Sequence, residues 1–138
     1  MSLNGHRPSA AAAYRVSRFG RGFRLTSGLT LGEMQSNDGA DLVLVHPALL
    51  ALYAQLRARV GPMRINSGYR SLAHNAATPG AAKNSLHRLG MAADVVVLDP
   101  AISHAEVARQ ARDLGAGGVA VYPTFVHIDV GARRTWPT

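Results

Sequence analysis

Apolar and polar positions alternate with a regular period from about residue 30 to the end of the chain. The clearest helical period lies between a proline and a glycine, at Leu49, Leu50, Leu52, Tyr53, Leu56 and Val60. Pro47 is tolerated in a first helical turn, and Gly61 followed by Pro62 is typical of a helix end. The spacing therefore predicts a helix over residues 47–60, which begins directly after His46.

Four other segments have the apolar character of strands. MRINS predicts a short strand that leaves through a glycine turn, with Arg70 just beyond it. DVVVL, from Asp94 to Leu98, is a continuous apolar run and predicts an interior strand with Asp94 at its mouth. GGVAVY and FVHIDV predict two paired strands, joined by the two-residue link of Pro123 and Thr124.

Two further helices complete the predicted order of elements. LAHNAAT predicts a short helix, and Ser103 begins another with Glu106 at its N3 position, which is the sequence of a capping box. Gly115 ends that helix. Helices alternating with strands and followed by paired strands indicate an α+β domain, with a small, mostly antiparallel sheet flanked by helices. Trp136 is expected to return to the core.

Composition and charge narrow the classes of function. The 138 residues include no cysteine and carry a formal charge of +7, with a pI near 11.0. The absence of cysteine excludes disulfides, thiol nucleophiles and cysteine-ligated metals, so any metal must be bound by histidine and carboxylate side chains. The positive charge favours an anionic partner, such as nucleic acid, an anionic lipid surface or a cell-wall polymer.

The N-terminal segment is the most basic part of the chain. Its first 24 residues contain five arginines and no acidic residue. We therefore expect a basic N-terminal arm over residues 1–24 and one folded domain over residues 25–138. The apolar run at residues 10–13 is too short for a signal peptide, and no segment reaches the ~18 apolar residues of a membrane span. A soluble chain without a Sec signal is expected.

Three residues with metal-binding side chains follow one another in the predicted loop and strands: His87, Asp94 and His127. Zinc accepts histidine and carboxylate ligands, and a catalytic site leaves a fourth position for water. Gly90 allows the loop to bend so that His87 can reach Asp94. Strand alternation places Asp129 on the same face as His127. Spacing alone leaves open the alternative that these are turn, cap and hydrogen-bonded residues.

Four motifs, two of which contain these residues, follow one another along the chain. They are SGYRS (67–71), HN (74–75), SLHRLGMAAD (85–94) and YPTFVHIDVGARRTW (122–136). Over about residues 31–136 the chain thereby resembles the zinc D-Ala-D-Ala carboxypeptidases and related murein endopeptidases. The resemblance implies a small antiparallel sheet flanked by helices, Zn²⁺ as cofactor and the peptide stems of peptidoglycan as substrate. It also implies that His87, Asp94 and His127 are the zinc ligands.

The same resemblance implies that Arg70 holds the substrate near its scissile bond. The alternative for an arginine in a turn is a surface salt bridge, which is the commoner role. The chain departs from the family at the general base. Many members carry Glu or Asp three residues before the second histidine ligand, or His two residues before it, whereas Thr124 and Phe125 stand there in this chain. Asp129 shares the face of His127 and is the leading candidate, either as general base or as the carboxylate that orients His127.

Three functions compete on this evidence: a zinc peptidase of peptidoglycan stems, a catalytically weak zinc-containing cell-wall-binding module, and a nucleic-acid binder. Scattered arginines and an aromatic content of 6% argue against the nucleic-acid binder. Arg70 favours the enzyme, because a structural zinc site closes its fourth position with a protein ligand and needs no arginine beside it. We expect action in the periplasm or cell wall, by release from the cytoplasm or on a virion, as a phage or prophage component.

Overall fold

The computed structural model describes residues 11–78 and 85–132 of the chain. Within these residues the elements are β1 (Ala12–Arg15), α1 (Val16–Phe19), β2 (Arg24–Thr26), β3 (Leu29–Thr30), α2 (Leu31–Met34), β4 (Leu42–Val45), α3 (Pro47–Val60), β5 (Met63–Ser67), α4 (Leu72–Ala77), a 3-10 helix (Leu86–Leu89), β6 (Ala92–Val97), α5 (His104–Asp113), β7 (Gly118–Val121) and β8 (Val126–Asp129). Helices combined with small antiparallel sheets confirm the expected α+β class.

The largest sheet has four strands in the order β5, β6, β8, β7, and every neighbouring pair is antiparallel. β6 is an interior strand, as its apolar run predicted. Asp94 does not lie at the mouth of β6, which begins two residues earlier, but pairs with Ser67 on one side and His127 on the other. Ala92 and Ala93 extend the strand because their small side chains are fully buried in the sheet.

The longest helix, α3, has the bounds that the apolar spacing predicts. The Nδ1 of His46 accepts a hydrogen bond from the backbone N–H of Ala48 (3.1 Å), which caps the helix. Pro47 occupies the first turn, where no backbone donor is needed. Gly61 ends the helix with a φ of 85°, a conformation that other residues adopt only with strain.

Helix α5 begins with half of the expected capping box. The Ser103 Oγ accepts a hydrogen bond from the backbone N–H of Glu106 (3.1 Å). The Glu106 carboxylate instead accepts from Arg109 (2.6 Å) and Gln110 (2.8 Å). These partners lie on the same helix face, one turn away, and compete with the reciprocal cap. Gly115, with a φ of 94°, follows the helix end as expected.

The hydrophobic core lies on one face of the four-stranded sheet, which α5 covers, and includes the apolar side of α3. Val95 on β6 is paired with Val126 on β8, and both are fully buried in this core. Ile128 is buried beside them. Burial of each such side chain stabilises the folded state by roughly 1.5–3 kcal/mol. Successive strand residues point to opposite faces. His127, between Val126 and Ile128, is therefore directed to the other face of the sheet.

The second half of the expected basic arm is part of this fold. β1 pairs with β4 in an antiparallel ladder, from Ala12 opposite Val45 to Arg15 opposite Leu42. β2 pairs with β3 in a second two-stranded sheet. The first ten residues lie outside the described residues, as does Trp136, and the division of the chain at residue 24 stays a prediction. Within the described ranges, no helix is long and apolar enough to cross a membrane.

The connection between β7 and β8 is longer than the sequence predicts. Four residues, 122–125, separate the strands, and not the two residues Pro123 and Thr124. The rings of Tyr122 and Phe125 stack with centroids 4.7 Å apart, and the Tyr122 N–H donates to the Phe125 carbonyl (2.9 Å). Aromatic stacking and this hydrogen bond thus close a hairpin whose Pro-Thr link is not a favoured hairpin pair.

Candidate metal centre

Three side chains with metal-binding atoms converge on the polar face of the sheet. Asp94 on β6 is in register with His127 on β8, so both side chains leave the same face of neighbouring strands. His87 reaches them from the 3-10 helix that precedes β6. One donor atom from each residue lies within 4.8 Å of the other two. The structure therefore brings together all three residues that the resemblance selected.

Local turn chemistry positions His87. The Ser85 Oγ accepts a hydrogen bond from the His87 backbone N–H (3.2 Å) and caps the 3-10 helix. Gly90 ends this helix in a left-handed conformation, with a φ of 70°. A Cβ at Gly90 would lie 2.2 Å from the carbonyl oxygen of Leu44, so glycine alone allows close packing on β4. The Gly90 carbonyl accepts from the N–H of His46 (2.9 Å), which fixes the loop to β4.

The imidazole of His87 is oriented by a backbone carbonyl. Its Nδ1 donates to the Gly68 carbonyl oxygen at 2.8 Å, so Nδ1 carries the proton and Nε2 offers a lone pair. Gly68 lies against α2, where a Cβ would be 2.9 Å from the Cα of Met34. The adjacent Tyr69 N–H donates to the Met34 carbonyl (2.9 Å). Helix α2 thus holds the carbonyl group that orients His87.

Asp94 lies between the two imidazoles. Its Oδ1 is 3.3 Å from His87 Nε2 and 3.0 Å from His127 Nδ1. Burial by itself favours the neutral carboxyl group, but the contacts with the imidazoles of His127 and His87 outweigh burial and lower the pKa of Asp94 to about 2. Asp94 is therefore an anion at neutral pH, which is the state that binds a cation.

Asp129 holds His127 through the other nitrogen of its ring. The Asp129 side chain is fully buried, its Oδ2 accepts from His127 Nε2 at 2.7 Å, and its Oδ1 accepts from the Gly131 backbone N–H at 3.0 Å. Burial would lower the pKa of His127, but the carboxylates of Asp129 and Asp94 raise it above its ordinary value of 6.5. Because Asp129 holds Nε2, the other ring nitrogen, Nδ1, faces Asp94.

This donor set fits zinc. Zinc bonds of about 2.0–2.2 Å at tetrahedral angles separate neighbouring ligand atoms by roughly 3.3–3.5 Å. The two nitrogens already lie 3.3 and 3.0 Å from the Asp94 oxygen. The second ring nitrogen of each histidine contacts a carbonyl or a carboxylate, as is usual for zinc-binding imidazoles. Three protein ligands also leave a fourth tetrahedral position for water or substrate.

Arg70 is a buried cation beside this cluster. Arg70 is only 9% exposed, and its backbone N–H donates to the His87 carbonyl (3.0 Å). Burial lowers the pKa of Arg70, whereas the negative charge of Asp94 acts to raise it. Within residues 11–78 and 85–132, no carboxylate forms an ion pair with the Arg70 guanidinium. The burial of Arg70 and the absence of such a pair in this part of the chain argue against the surface salt bridge.

The positions at which the resemblance implies a general base offer none here. Thr124 is exposed, and Phe125 stacks on Tyr122. Sequence reasoning assigned no role to Asn75, whose Oδ1 accepts from Arg70 Nη1, or to Gly68, whose carbonyl orients His87. Both residues occur within the motifs that carry the resemblance, and this was the available signal.

Comparison with known proteins agrees with the motif order. A family model described as peptidoglycan L,D-endopeptidase MepK matches residues 37–136, well over half of the chain. A protein of Haemophilus influenzae, named as a probable peptidoglycan L,D-endopeptidase MepK, is 36% identical over 91 residues, which cover 62% of this chain and 48% of the relative. The chain thus spans about half the length of this relative. The matched range includes His87, Asp94, His127, Arg70 and Asp129.

Proposed function

Because the chain belongs to the family of the peptidoglycan L,D-endopeptidase MepK, we propose that it is a zinc-dependent peptidase that cleaves the peptide stems or cross-links of bacterial peptidoglycan. The observation that carries this proposal is the convergence of His87, Asp94 and His127, whose donor atoms lie within 4.8 Å of one another inside the matched range. We further propose that the bond cut joins an L- to a D-centre, as the names of the family model and of the relative state for those proteins.

The proposed ligand atoms are His87 Nε2, Asp94 Oδ1 and His127 Nδ1. Zinc, when bound, would polarise a scissile carbonyl and lower the pKa of its water towards ~7. The chain's own contribution is orientation, since the Gly68 carbonyl fixes the proton of His87 on Nδ1 and Asp129 fixes that of His127 on Nε2.

Arg70 is proposed to donate charge-assisted hydrogen bonds to a carbonyl or carboxylate of the stem peptide. Its burial supports this role, because a guanidinium removed from water interacts strongly with an anion. For Asp129, complete burial and its hydrogen bonds to His127 and Gly131 favour the orienting role over that of general base. We therefore propose that Asp129 orients His127 and does not transfer the proton.

The reaction is proposed to take place in the cell wall, where peptidoglycan is found. Between the two activities of the wider group, the names of the family model and the relative favour an endopeptidase over a carboxypeptidase. An origin from a phage or prophage stays a prediction from the sequence.

Digestion of purified peptidoglycan tests this function. Zinc-loaded protein should release stem fragments whose masses identify the bond cut, and a chelator should abolish the release until zinc is restored. His87→Ala serves as the matched inactive control, because it removes one ligand atom. Unchanged peptidoglycan after prolonged digestion by the zinc-loaded protein would refute the proposal.

A second candidate is the zinc-containing wall-binding module without effective catalysis. The exposed Thr124 and the stacked Phe125, which stand where relatives carry a base, favour it. The same samples distinguish the two functions. A wall-binding module would sediment with peptidoglycan and release no fragments, whereas the peptidase would release fragments whether or not it remains bound.

A further inference from the structure

The partners of Arg70 are unusual for a buried cation, because they are neutral. Arg70 Nη1 donates to Asn75 Oδ1 at 3.1 Å, and Nη2 donates to Ser67 Oγ at 3.4 Å. The Nε of Arg70 is buried without a hydrogen-bond partner among the described residues. A buried guanidinium is normally compensated by a carboxylate, since an uncompensated buried charge is costly. The Arg70 guanidinium therefore carries a charge that no direct ion pair neutralises among the described residues, although the negative charge of Asp94 acts on it.

Asn75, which accepts from Arg70 Nη1, is itself built into the fold. It is 4% exposed and lies in α4, one turn after the Ser71 cap, where its N–H donates to the Ser71 carbonyl (2.9 Å). Ser71 is itself anchored, because its Oγ donates to Asp38 (2.6 Å) and its N–H to Ser36 Oγ (3.1 Å). The Asn75 amide is thus presented to Arg70 from a fixed backbone.

The side chain of asparagine suits this position for a physical reason. Its amide oxygen accepts one N–H of the guanidinium and so fixes the plane of the group. An aspartate of the same shape would accept the same N–H but would also neutralise the cation in a bidentate ion pair. The neutral amide orients the guanidinium but does not neutralise it, so the charge of Arg70 remains available to an anionic group.

We propose that Asn75 is a positioning residue that holds the Arg70 guanidinium in place without neutralising it, so that its charge is reserved for a carboxylate or carbonyl group of the bound stem peptide. This inference rests on the proposed function and adds to it a residue that recognises substrate only through Arg70.

Steady-state kinetics on a soluble peptidoglycan fragment test the charge argument. Asn75→Asp keeps the acceptor and the shape but adds the neutralising charge, so kcat/KM should fall by about ten- to a hundredfold while the zinc content is unchanged. Gln110→Glu is the matched control, because Gln110 Oε1 also accepts from an arginine, Arg59 Nη1 (3.0 Å), but on the surface. It should keep wild-type kinetics. An Asn75→Asp variant with wild-type kcat/KM would overturn the proposal.

A double-mutant cycle tests whether Asn75 acts through Arg70. Asn75→Ala should lower kcat/KM in the wild-type chain and should have no further effect, within about twofold, when Arg70 is already alanine. Equal losses in both backgrounds would mean that Asn75 contacts the substrate itself, and the proposal would then be wrong. This cycle also decides the matter if Asn75→Asp fails to fold.

A spectroscopic measurement separates this inference from the proposed function. In the free protein, the hydrogen bond to Asn75 should slow rotation about the Arg70 Nε–Cζ bond and give distinct Nη1 and Nη2 signals in side-chain ¹⁵N NMR. In Asn75→Ala these signals should merge. If the wild-type protein does not cleave peptidoglycan, the proposed function is wrong but the positioning role of Asn75 is not affected. If the Arg70 signals are unchanged in Asn75→Ala, the positioning role is wrong whether or not the protein is a peptidase.

Discussion

Replacing Asp129 with asparagine tests the most consequential assignment in the site. The carboxylate of Asp129 accepts two hydrogen bonds, one from His127 Nε2 (2.7 Å) and one from the Gly131 N–H (3.0 Å), and it is fully buried. An amide of the same shape has only one accepting oxygen. Asp129→Asn can therefore satisfy one of these two donors and must leave the other facing an NH₂ group.

The expected magnitudes follow from these two bonds. A buried donor without a partner costs about 1–3 kcal/mol, so the free energy of unfolding should fall by this amount. If the amide oxygen remains on His127, the charge-assisted bond becomes a neutral one and the imidazole becomes a weaker ligand. Loss of such a supporting carboxylate weakens zinc affinity by about 10- to 100-fold, which is about 1.4–2.8 kcal/mol.

The assay is a zinc titration against a competing chelator, measured beside the rate of peptidoglycan digestion at saturating zinc. Asp99→Asn is the matched control, because Asp99 makes the same kind of bond to a backbone N–H (Ala101, 2.9 Å) in an exposed turn. Its zinc affinity and rate should equal those of the wild-type protein. Its stability should change by no more than about 0.5 kcal/mol.

Two results would contradict the orienting role. Wild-type zinc affinity with a rate reduced by about 10²- to 10⁴-fold would identify Asp129 as the general base. Wild-type affinity together with a wild-type rate would reject both roles and leave Asp129 as a residue that only stabilises the end of β8.

Three other perturbations have defined outcomes. His87→Ala should lose most of its bound zinc, because two ligands do not retain the ion, and should melt at a lower temperature than the zinc-loaded wild type; undiminished zinc in elemental analysis would contradict this. Arg70→Ala should keep its zinc but lose about ten- to a hundredfold in turnover, and unchanged kinetics would remove Arg70 from substrate binding. Hydrogen bonds from Ser71 and Ser36 lower the pKa of Asp38 below 3.8, so its contribution to stability is present above that pH and is lost as the pH falls through the lowered pKa. Asp38→Asn should therefore reduce the melting temperature more at pH 7 than in acid below pH 3.8, and an equal reduction at both pH values would contradict the ionic origin.

Elements that depend on local sequence are predictable, and α3 is the clearest case. The apolar spacing, Pro47 and Gly61 all act within a few residues, so the predicted and observed bounds agree. The pairing of β1 with β4 depends instead on partners about thirty residues apart, and its alanines have low strand propensity. Nothing local predicts it. The turn at residues 122–125 was misjudged because Tyr122 and Phe125 were counted as strand residues, whereas their rings stack in the turn.

The candidate site shows the same division. Its three ligand types were visible in the sequence, but spacing left them as metal ligands or as turn residues until the family motifs were considered. The register that sets Asp94 opposite His127 joins residues 33 positions apart and is a tertiary property. The burial of Asp129 and the contact of Asn75 with Arg70 also arise only when distant segments pack.

The distribution of the ligands over the chain has a consequence for how an ion would leave. His87 and Asp94 lie on one continuous segment of the chain. His127 lies on β8, which forms a hairpin with β7. An ion held by all three would tie this hairpin to β6, so the amide hydrogens of β7 and β8 should exchange more slowly with zinc than without it. Detachment of the hairpin withdraws one ligand of three. If release of the ion requires this opening, the rate of metal exchange should equal the exchange rate of the slowest amides of β8.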